Sequence, residues 1–159
     1  MRRNTQRMVA AAATVMAVMA LMTPPASAAA TKRWQGYWGY CLTMTSNSAN
    51  AQAKTGSCTS GWNIWKNDTN HNKATITNIY TNLCLTIAGG SKTSGAQGVQ
   101  YHCDKDPSRY WKLVNVSSKK WRFQNLNSGY CLISGPASGS ITQQAPCTSP
   151  AAVWTEISA

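Results

Sequence analysis

The sequence predicts an all-β fold made of three repeated units. Two observations carry this prediction. Gly39-Tyr40-Cys41-Leu42-Thr43, Asn82-Leu83-Cys84-Leu85-Thr86 and Gly129-Tyr130-Cys131-Leu132-Ile133 resemble one another, and their Cys recur after 43 and then 47 residues. Each unit then has a second Cys 17, 19 or 16 residues on, and a Trp seven or eight residues beyond that: Trp65, Trp111 and Trp154. Three landmarks kept in order three times mark an internal repeat, which fixes the architecture before any local reading.

The elements follow in chain order. Trp34, Tyr37 and Trp38 cluster ahead of the first Cys, with Tyr40 and Trp62 nearby. They read either as a stacking surface for polysaccharide or as a cap on an open barrel end. Ala74 to Ile79 alternates with period two and is rich in β-branched residues, as a strand should be. Trp121 to Leu126 alternates likewise, and each run leads through an Asn, Ser, Gly or Tyr turn into a Cys-Leu strand. Gly89-Gly90-Ser91 and Ser134-Gly135-Pro136 break the chain soon afterwards. Further strands are expected near Tyr110 to Val116 and Val153 to Ser158, and no amphipathic helix is evident after residue 28. One unit is thus about four short strands, too small to bury its apolar face alone. Three units around a pseudo-threefold axis would bury Leu42, Leu85, Leu132 and the three Trp together, each large side chain contributing about 1.5–3 kcal/mol.

The chain of 159 residues opens with Arg2, Arg3 and Arg7, an apolar run from Met8 to Met22, and Ala26-Ser27-Ala28. That order reads as a secretory signal peptide over 1–28. The run is shorter than the roughly 20 residues a spanning helix needs. Its Ala-rich composition suggests a bacterial source. Cleavage would leave 131 residues as a single domain over 29–159, with repeats at about 34–72, 73–116 and 117–159. It would also lower the formal charge from +11 to +8. The remaining chain is rich in Ser, Thr, Asn, Gly and Trp, which excludes a membrane-inserted protein, an acidic disordered chain and a coiled coil.

All six Cys follow residue 28. An even count behind a signal peptide points to an oxidising, extracellular location and a disulfide framework, of 15 possible pairings. With no C-x-x-C and only His71 and His102 as imidazoles, no metal site is expected. No cofactor motif is present either.

The thrice-repeated Cys-Leu, second Cys and terminal Trp resemble the ricin B-chain type of β-trefoil lectin, from about Trp34 to Ile157. The resemblance implies a β-trefoil with one disulfide inside each repeat: Cys41–Cys58, Cys84–Cys103 and Cys131–Cys147. It also implies a shallow sugar site per repeat. There an Asp two positions after the first Cys accepts from sugar hydroxyls, and an aromatic two positions before the second Cys stacks on the ring. An Asn precedes a Q-x-W motif whose Gln supports it. A carboxylate gives charge-assisted acceptance, and an aromatic face buries C–H surface without needing polar partners.

Repeat one has Thr43, Gly56, Trp62 and Asn63 at these four positions, and repeat three has Ile133, Ala145, Ala151 and Ala152. Repeat two has Thr86 for the Asp but keeps an aromatic, Tyr101; Ser108 and Arg109 replace the Asn and Gln. No repeat keeps the Asp. Repeat two is therefore the expected carbohydrate site, with Thr86, Tyr101, Asp104, Asp106, Ser108 and Arg109, and with Asp104 or Asp106 supplying the missing acceptor. The simpler reading makes both Asp turn formers, since Asp106-Pro107 is a turn signal. His102 reads as a surface residue beside a disulfide.

Two functional readings follow. One is a secreted, non-catalytic carbohydrate-binding trefoil, monomeric on its own. The other is an accessory or protein-interaction subunit that has lost sugar binding. Catalysis is not expected: four carboxylate side chains form no recognised pair, and no hydrolase or nucleotide motif occurs. Lys119, Lys120 and Arg122 form a basic hairpin that reads as a solvated turn or as a site for an anionic cell-surface or cell-wall polymer, an acidic polysaccharide or nucleic acid. No nucleic-acid motif accompanies it.

Overall fold

The computed structural model describes residues 30–159. The expected signal peptide at 1–28 lies outside the described residues. Twelve strands follow one another, four per repeat. Repeat one holds β1 (Lys32–Gln35), β2 (Cys41–Thr43), β3 (Lys54–Gly56) and β4 (Trp65–Asn67). Repeat two holds β5 (Ile76–Asn78), β6 (Cys84–Ile87), β7 (Gly98–Tyr101) and β8 (Trp111–Ser117). Repeat three holds β9 (Lys120–Asn125), β10 (Cys131–Ile133), β11 (Gln143–Ala145) and β12 (Trp154–Ser158). The strands expected from alternation and from the Cys-Leu motifs are all present, with ends displaced by a residue or two. One-turn 3-10 helices at Gly61–Asn63, Pro107–Arg109 and Pro150–Ala152 precede the three terminal Trp.

The first and fourth strands of each repeat close into a ring. β1 pairs with β4 and β12, β4 with β5, and β9 with β8 and β12. A bridge between Ala74 and Trp111 joins the β5 side to β8 and completes the barrel. The second and third strands form three hairpins that cap it. Bridges Gln52–Val99, Lys54–Ile141 and Gln97–Gln143 tie those hairpins together around the axis. This is a β-trefoil, and closure leaves no free edge in the barrel.

The repeat's landmarks are its core. Leu42, Leu85, Leu132, Trp65, Trp111 and Trp154 are fully buried in one cluster. Each Trp also donates its indole N–H to the carbonyl of the Leu in its own repeat. The distances are 2.9 Å for Trp65–Leu42, 2.9 Å for Trp111–Leu85 and 3.0 Å for Trp154–Leu132. The bond satisfies a buried indole N–H, which is a physical reason for Trp and the Cys-Leu strand to recur together. The disulfides are those the resemblance implies, Cys41–Cys58, Cys84–Cys103 and Cys131–Cys147.

Repeats are latched by buried polar side chains on their third strands. Gln100 donates to the carbonyls of Ser46 and Ser48 in repeat one, at 2.8 and 2.9 Å. Gln144 donates to those of Ser91 and Thr93 in repeat two, at 2.9 and 2.7 Å. At the same place in repeat one, Thr55 donates to the carbonyl of Ala137 in repeat three at 2.7 Å. The aromatic cluster ahead of Cys41 divides. Trp34 is core, packed edge-on against Phe123 with ring centroids 4.8 Å apart. Tyr37 and Trp38 are exposed.

Candidate functional site

Repeat two folds its loop around a single guanidinium. Asp106 caps the 3-10 turn Pro107–Arg109, its Oδ1 accepting from the Ser108 backbone N–H at 2.8 Å and the Ser108 hydroxyl at 2.6 Å. Pro107 begins the turn because it needs no N–H partner there. The turn swings Arg109 back over its own loop. Its Nε reaches Asp104 at 3.0 Å and the His102 carbonyl at 3.1 Å, and its Nη1 reaches Asp106 at 3.1 Å. The guanidinium lies 4.8 Å from the centroid of the Tyr101 ring. Both aspartates are therefore turn formers and also charge partners.

Thr86 is buried and donates to the Ser108 carbonyl at 3.0 Å; its Oγ1 lies 3.1 Å from the Ser108 hydroxyl. A chain of hydrogen bonds thus runs from Thr86 through Ser108 to Asp106. The Ser108 hydroxyl and backbone N–H, aided by Arg109, hold the Asp106 carboxyl below the usual carboxylate range. Asp106 is ionised, and its Oδ2 makes no hydrogen bond among the described residues.

Above this network lies an open pocket of about 270 Å³. Thr86, Tyr101, Asp106 and Arg109 line it, with Asn50, Ile87, Val99, Gly89 and Gly90. The structure thus brings four of the six expected residues to one cavity. Ser108 lies buried beneath it, and Asp104 braces Arg109 from the loop. His102 is exposed, its ring edge-on to Tyr101.

A residue from repeat one joins the lining, and residues of repeat three support its wall. Asn50 comes from repeat one, and its backbone N–H donates to the Gln100 carbonyl at 2.8 Å. The Gly89–Gly90 wall has φ of 59° and 62°, a conformation that glycine adopts without strain. Asn127 of repeat three fixes it, donating to the Gly90 carbonyl at 2.7 Å, and Gln144 holds Ser91 and Thr93 just beyond. No local motif signals Asn50 or Asn127, because their roles depend on packing between repeats.

The family model described as ricin-type beta-trefoil lectin domain-like matches residues 59–144. This chain belongs to that family. The designed threefold-symmetric protein ThreeFoil is 17% identical with a TM-score of 0.76, over 81% of this chain and 99% of that one. A ricin B-like lectin from Macrolepiota procera, solved with lactose, is 12% identical with a TM-score of 0.67, over 86% of this chain and 100% of that one. The exo-beta-1,3-galactanase 1,3Gal43A of Clostridium thermocellum is 18% identical with a TM-score of 0.76. There the match covers 85% of this chain and only 31% of the galactanase. At these identities the likeness is one of fold. No curated protein matches the chain.

As a ricin-type trefoil, this chain departs from the expected pattern in a definite way. In repeat two the Asp and Asn positions are Thr86 and Ser108, whose hydroxyls bond each other at 3.1 Å. The carboxylate at the pocket is that of Asp106. Among the described residues no group of three or more His, Cys, Asp or Glu is placed to hold a metal ion, and no helix is long and apolar enough to cross a membrane.

Proposed function

We propose that this chain is a secreted, non-catalytic carbohydrate-binding trefoil whose sugar pocket lies in the second repeat. The observation that carries the reading is that Tyr101 and Asp106 line one open pocket although the family's Asp position is Thr86. Tyr101 supplies the flat apolar surface for a pyranose face, and Asp106 Oδ2 the acceptor for a hydroxyl pair. Arg109 braces the Tyr101 ring and adds a donor, while Thr86, Ser108 and Asp104 hold those groups in place. The lactose-bound lectin of the same fold supports a saccharide as occupant. The mature protein is the single domain 29–159 after removal of 1–28, with repeats at about 34–72, 73–116 and 117–159. It acts outside the cell as a monomer. Its disulfides and its family support that location.

A glycan array probed with the full disulfide-bonded protein tests the reading. At least one glycan class should bind, and Tyr101→Ala should weaken it by about tenfold. An array with no bound glycan, or equal binding by Tyr101→Ala, would sink it.

The exposed aromatics favour a second reading, as a protein-interaction subunit. Trp62 and Tyr80 stack with centroids 6.1 Å apart, and both are exposed, as are Tyr37 and Trp38. Exposed aromatic clusters are typical of protein interfaces. A stoichiometric partner recovered from culture medium, lost with Trp62→Ala and kept with Tyr101→Ala, would select this reading.

A further inference from the structure

The basic residues of the β8–β9 hairpin are not confined to its turn. On β8, Trp111 and Leu113 face inward and Lys112 outward; on β9, Phe123 and Asn125 face inward, placing Lys120 and Arg122 on the outer face. Lys112 pairs with Gln124, Val114 with Arg122 and Ser117 with Lys120. Lys112 and Arg122 are therefore diagonal neighbours on one surface, with Lys120 farther along the same strand. The Ala74–Trp111 bridge extends this surface by one strand, setting Lys73 beside Lys112. The Lys73 ammonium lies 4.6 Å from the centroid of the Tyr110 ring, which fixes its side chain against β8. With strands about 4.8 Å apart and about 3.4 Å per residue, the four cations span roughly 17 Å of an arc.

Among the described residues no carboxylate forms an ion pair with this arc. Asp104 and Asp106 engage Arg109, Glu156 engages Lys32 at 3.1 Å, and Asp68 accepts from Thr75. None of Lys73, Lys112, Lys120 and Arg122 pairs with a carboxylate among the described residues.

We propose that Lys73, Lys112, Lys120 and Arg122 form a second binding surface, which takes a linear polysaccharide bearing acidic groups. Several like charges aligned along neighbouring strands raise the local potential and attract an extended polyanion. The side chains between the cations select the class of polymer. Val114, Val116, Ser117 and Gln124 offer no ring for base stacking, Trp121 is turned toward the core, and Tyr110 lies under Lys73. Single-stranded nucleic acid relies on such stacking, whereas an acidic polysaccharide needs only spaced charges and short apolar contacts. The surface is separate from the Tyr101 pocket, so one chain can hold a neutral and an acidic glycan at once.

Dextran sulfate titrated into the full disulfide-bonded protein is the test. Binding should weaken with salt at a log–log slope of roughly 3, as expected for four cations releasing counterions. Lys112→Glu with Arg122→Glu should lower affinity by about tenfold or more and cut the slope to roughly 1.5, while Tyr101→Ala should change neither. Lys112→Gln with Lys120→Gln gives the same direction with less risk to folding, which near-ultraviolet Trp dichroism checks for every variant. The proposal fails if arc reversal leaves binding intact. It fails equally if Lys92→Glu with Lys105→Glu costs as much, since net charge alone would then be acting. An oligonucleotide of equal charge that binds more tightly than dextran sulfate, through the same residues, would replace the polysaccharide with nucleic acid.

Discussion

Ser134 occupies the space that a side chain at Gly36 would need. A Cβ on Gly36 would lie 2.4 Å from Ser134 Cβ and 2.6 Å from its Oγ. In the other repeats the position of Gly36 is Asn78 and Asn125, both buried. Asn78 donates to the Trp62 carbonyl at 2.8 Å and Asn125 to the Ser108 carbonyl at 2.7 Å, and both accept backbone N–H groups of the following turn. Ser134 does this from across the repeat boundary, donating to the Ala151 carbonyl at 3.3 Å and accepting the Tyr37 N–H at 3.2 Å. One symmetric role has moved to a residue whose own counterparts, Met44 and Ile87, are core hydrophobes. Gly36→Asn alone should destabilise by about 1–3 kcal/mol through overpacking, and Ser134→Gly alone should strip two partners. Together they clear the Ser134 Cβ and Oγ from the space of the new amide, which can then bond as Asn78 and Asn125 do in the other repeats. A double-mutant cycle by urea unfolding should show the pair recovering at least about 1 kcal/mol of the summed loss. Simple additivity would mean that the two positions do not share a site.

The proposed sugar pocket should be sensitive to a residue that touches none of its chemistry. Asn127 holds the Gly90 carbonyl, and through it the wall facing Asp106. Asn127→Ala removes one well-placed bond to a glycine pair that has little conformational restraint of its own. Global stability should fall by about 1 kcal/mol. Glycan affinity should fall about as much again, because the wall must then be ordered on binding. Titration of the best array ligand checks this; unchanged affinity would show that the wall is rigid without Asn127.

The three-unit barrel was legible in the sequence because its determinants are local and repeated. The Cys-Leu strands, the second Cys and the terminal Trp are close in sequence, and the Trp indole bonds the Leu carbonyl of its own repeat. Tyr101, Asp106 and Arg109 were legible for the same reason, lying within one loop. The rest depends on contacts between repeats, which no local pattern encodes. Trp34 reads like Tyr37 and Trp38, yet the barrel ring turns Trp34 into the core and leaves the other two in a turn. Asn50, Asn127 and Gln144 are ordinary polar residues until the pseudo-threefold axis brings them to repeat two. Lys73 joins the basic hairpin only through the Ala74–Trp111 bridge.

The disulfides should differ in their effect on binding but not on folding. Each closes a loop of similar length, with separations of 17, 19 and 16 residues. Replacing any one pair by Ser should therefore cost about 3 kcal/mol in the chain-entropy view. Only Cys84–Cys103 flanks Tyr101 on one side and Asp104 on the other. Cys84→Ser with Cys103→Ser should lower glycan affinity, while Cys131→Ser with Cys147→Ser should lower only the melting temperature. Equal losses of affinity in both variants would trace the effect to general loosening.

Asp106 should set the acid limit of glycan binding at the proposed pocket. Its carboxyl is held below the ordinary carboxylate range, first by the Ser108 hydroxyl, then by the Ser108 N–H, with help from Arg109. A depressed folded-state value means that the ionised form is favoured, so its contribution is present above the unfolded value of about 3.9 and is lost as pH falls through the lower, folded one. Binding should therefore hold constant from neutral pH to about pH 5 and weaken only below about pH 4. Ser108→Ala removes the largest cause of the depression, and the decline should begin at higher pH in that variant. Affinity measured across pH for both proteins checks the shift. Identical profiles would mean that Asp106 is not the acceptor, while a shift of the whole curve toward neutral pH in Ser108→Ala would tie sugar binding to this one carboxylate.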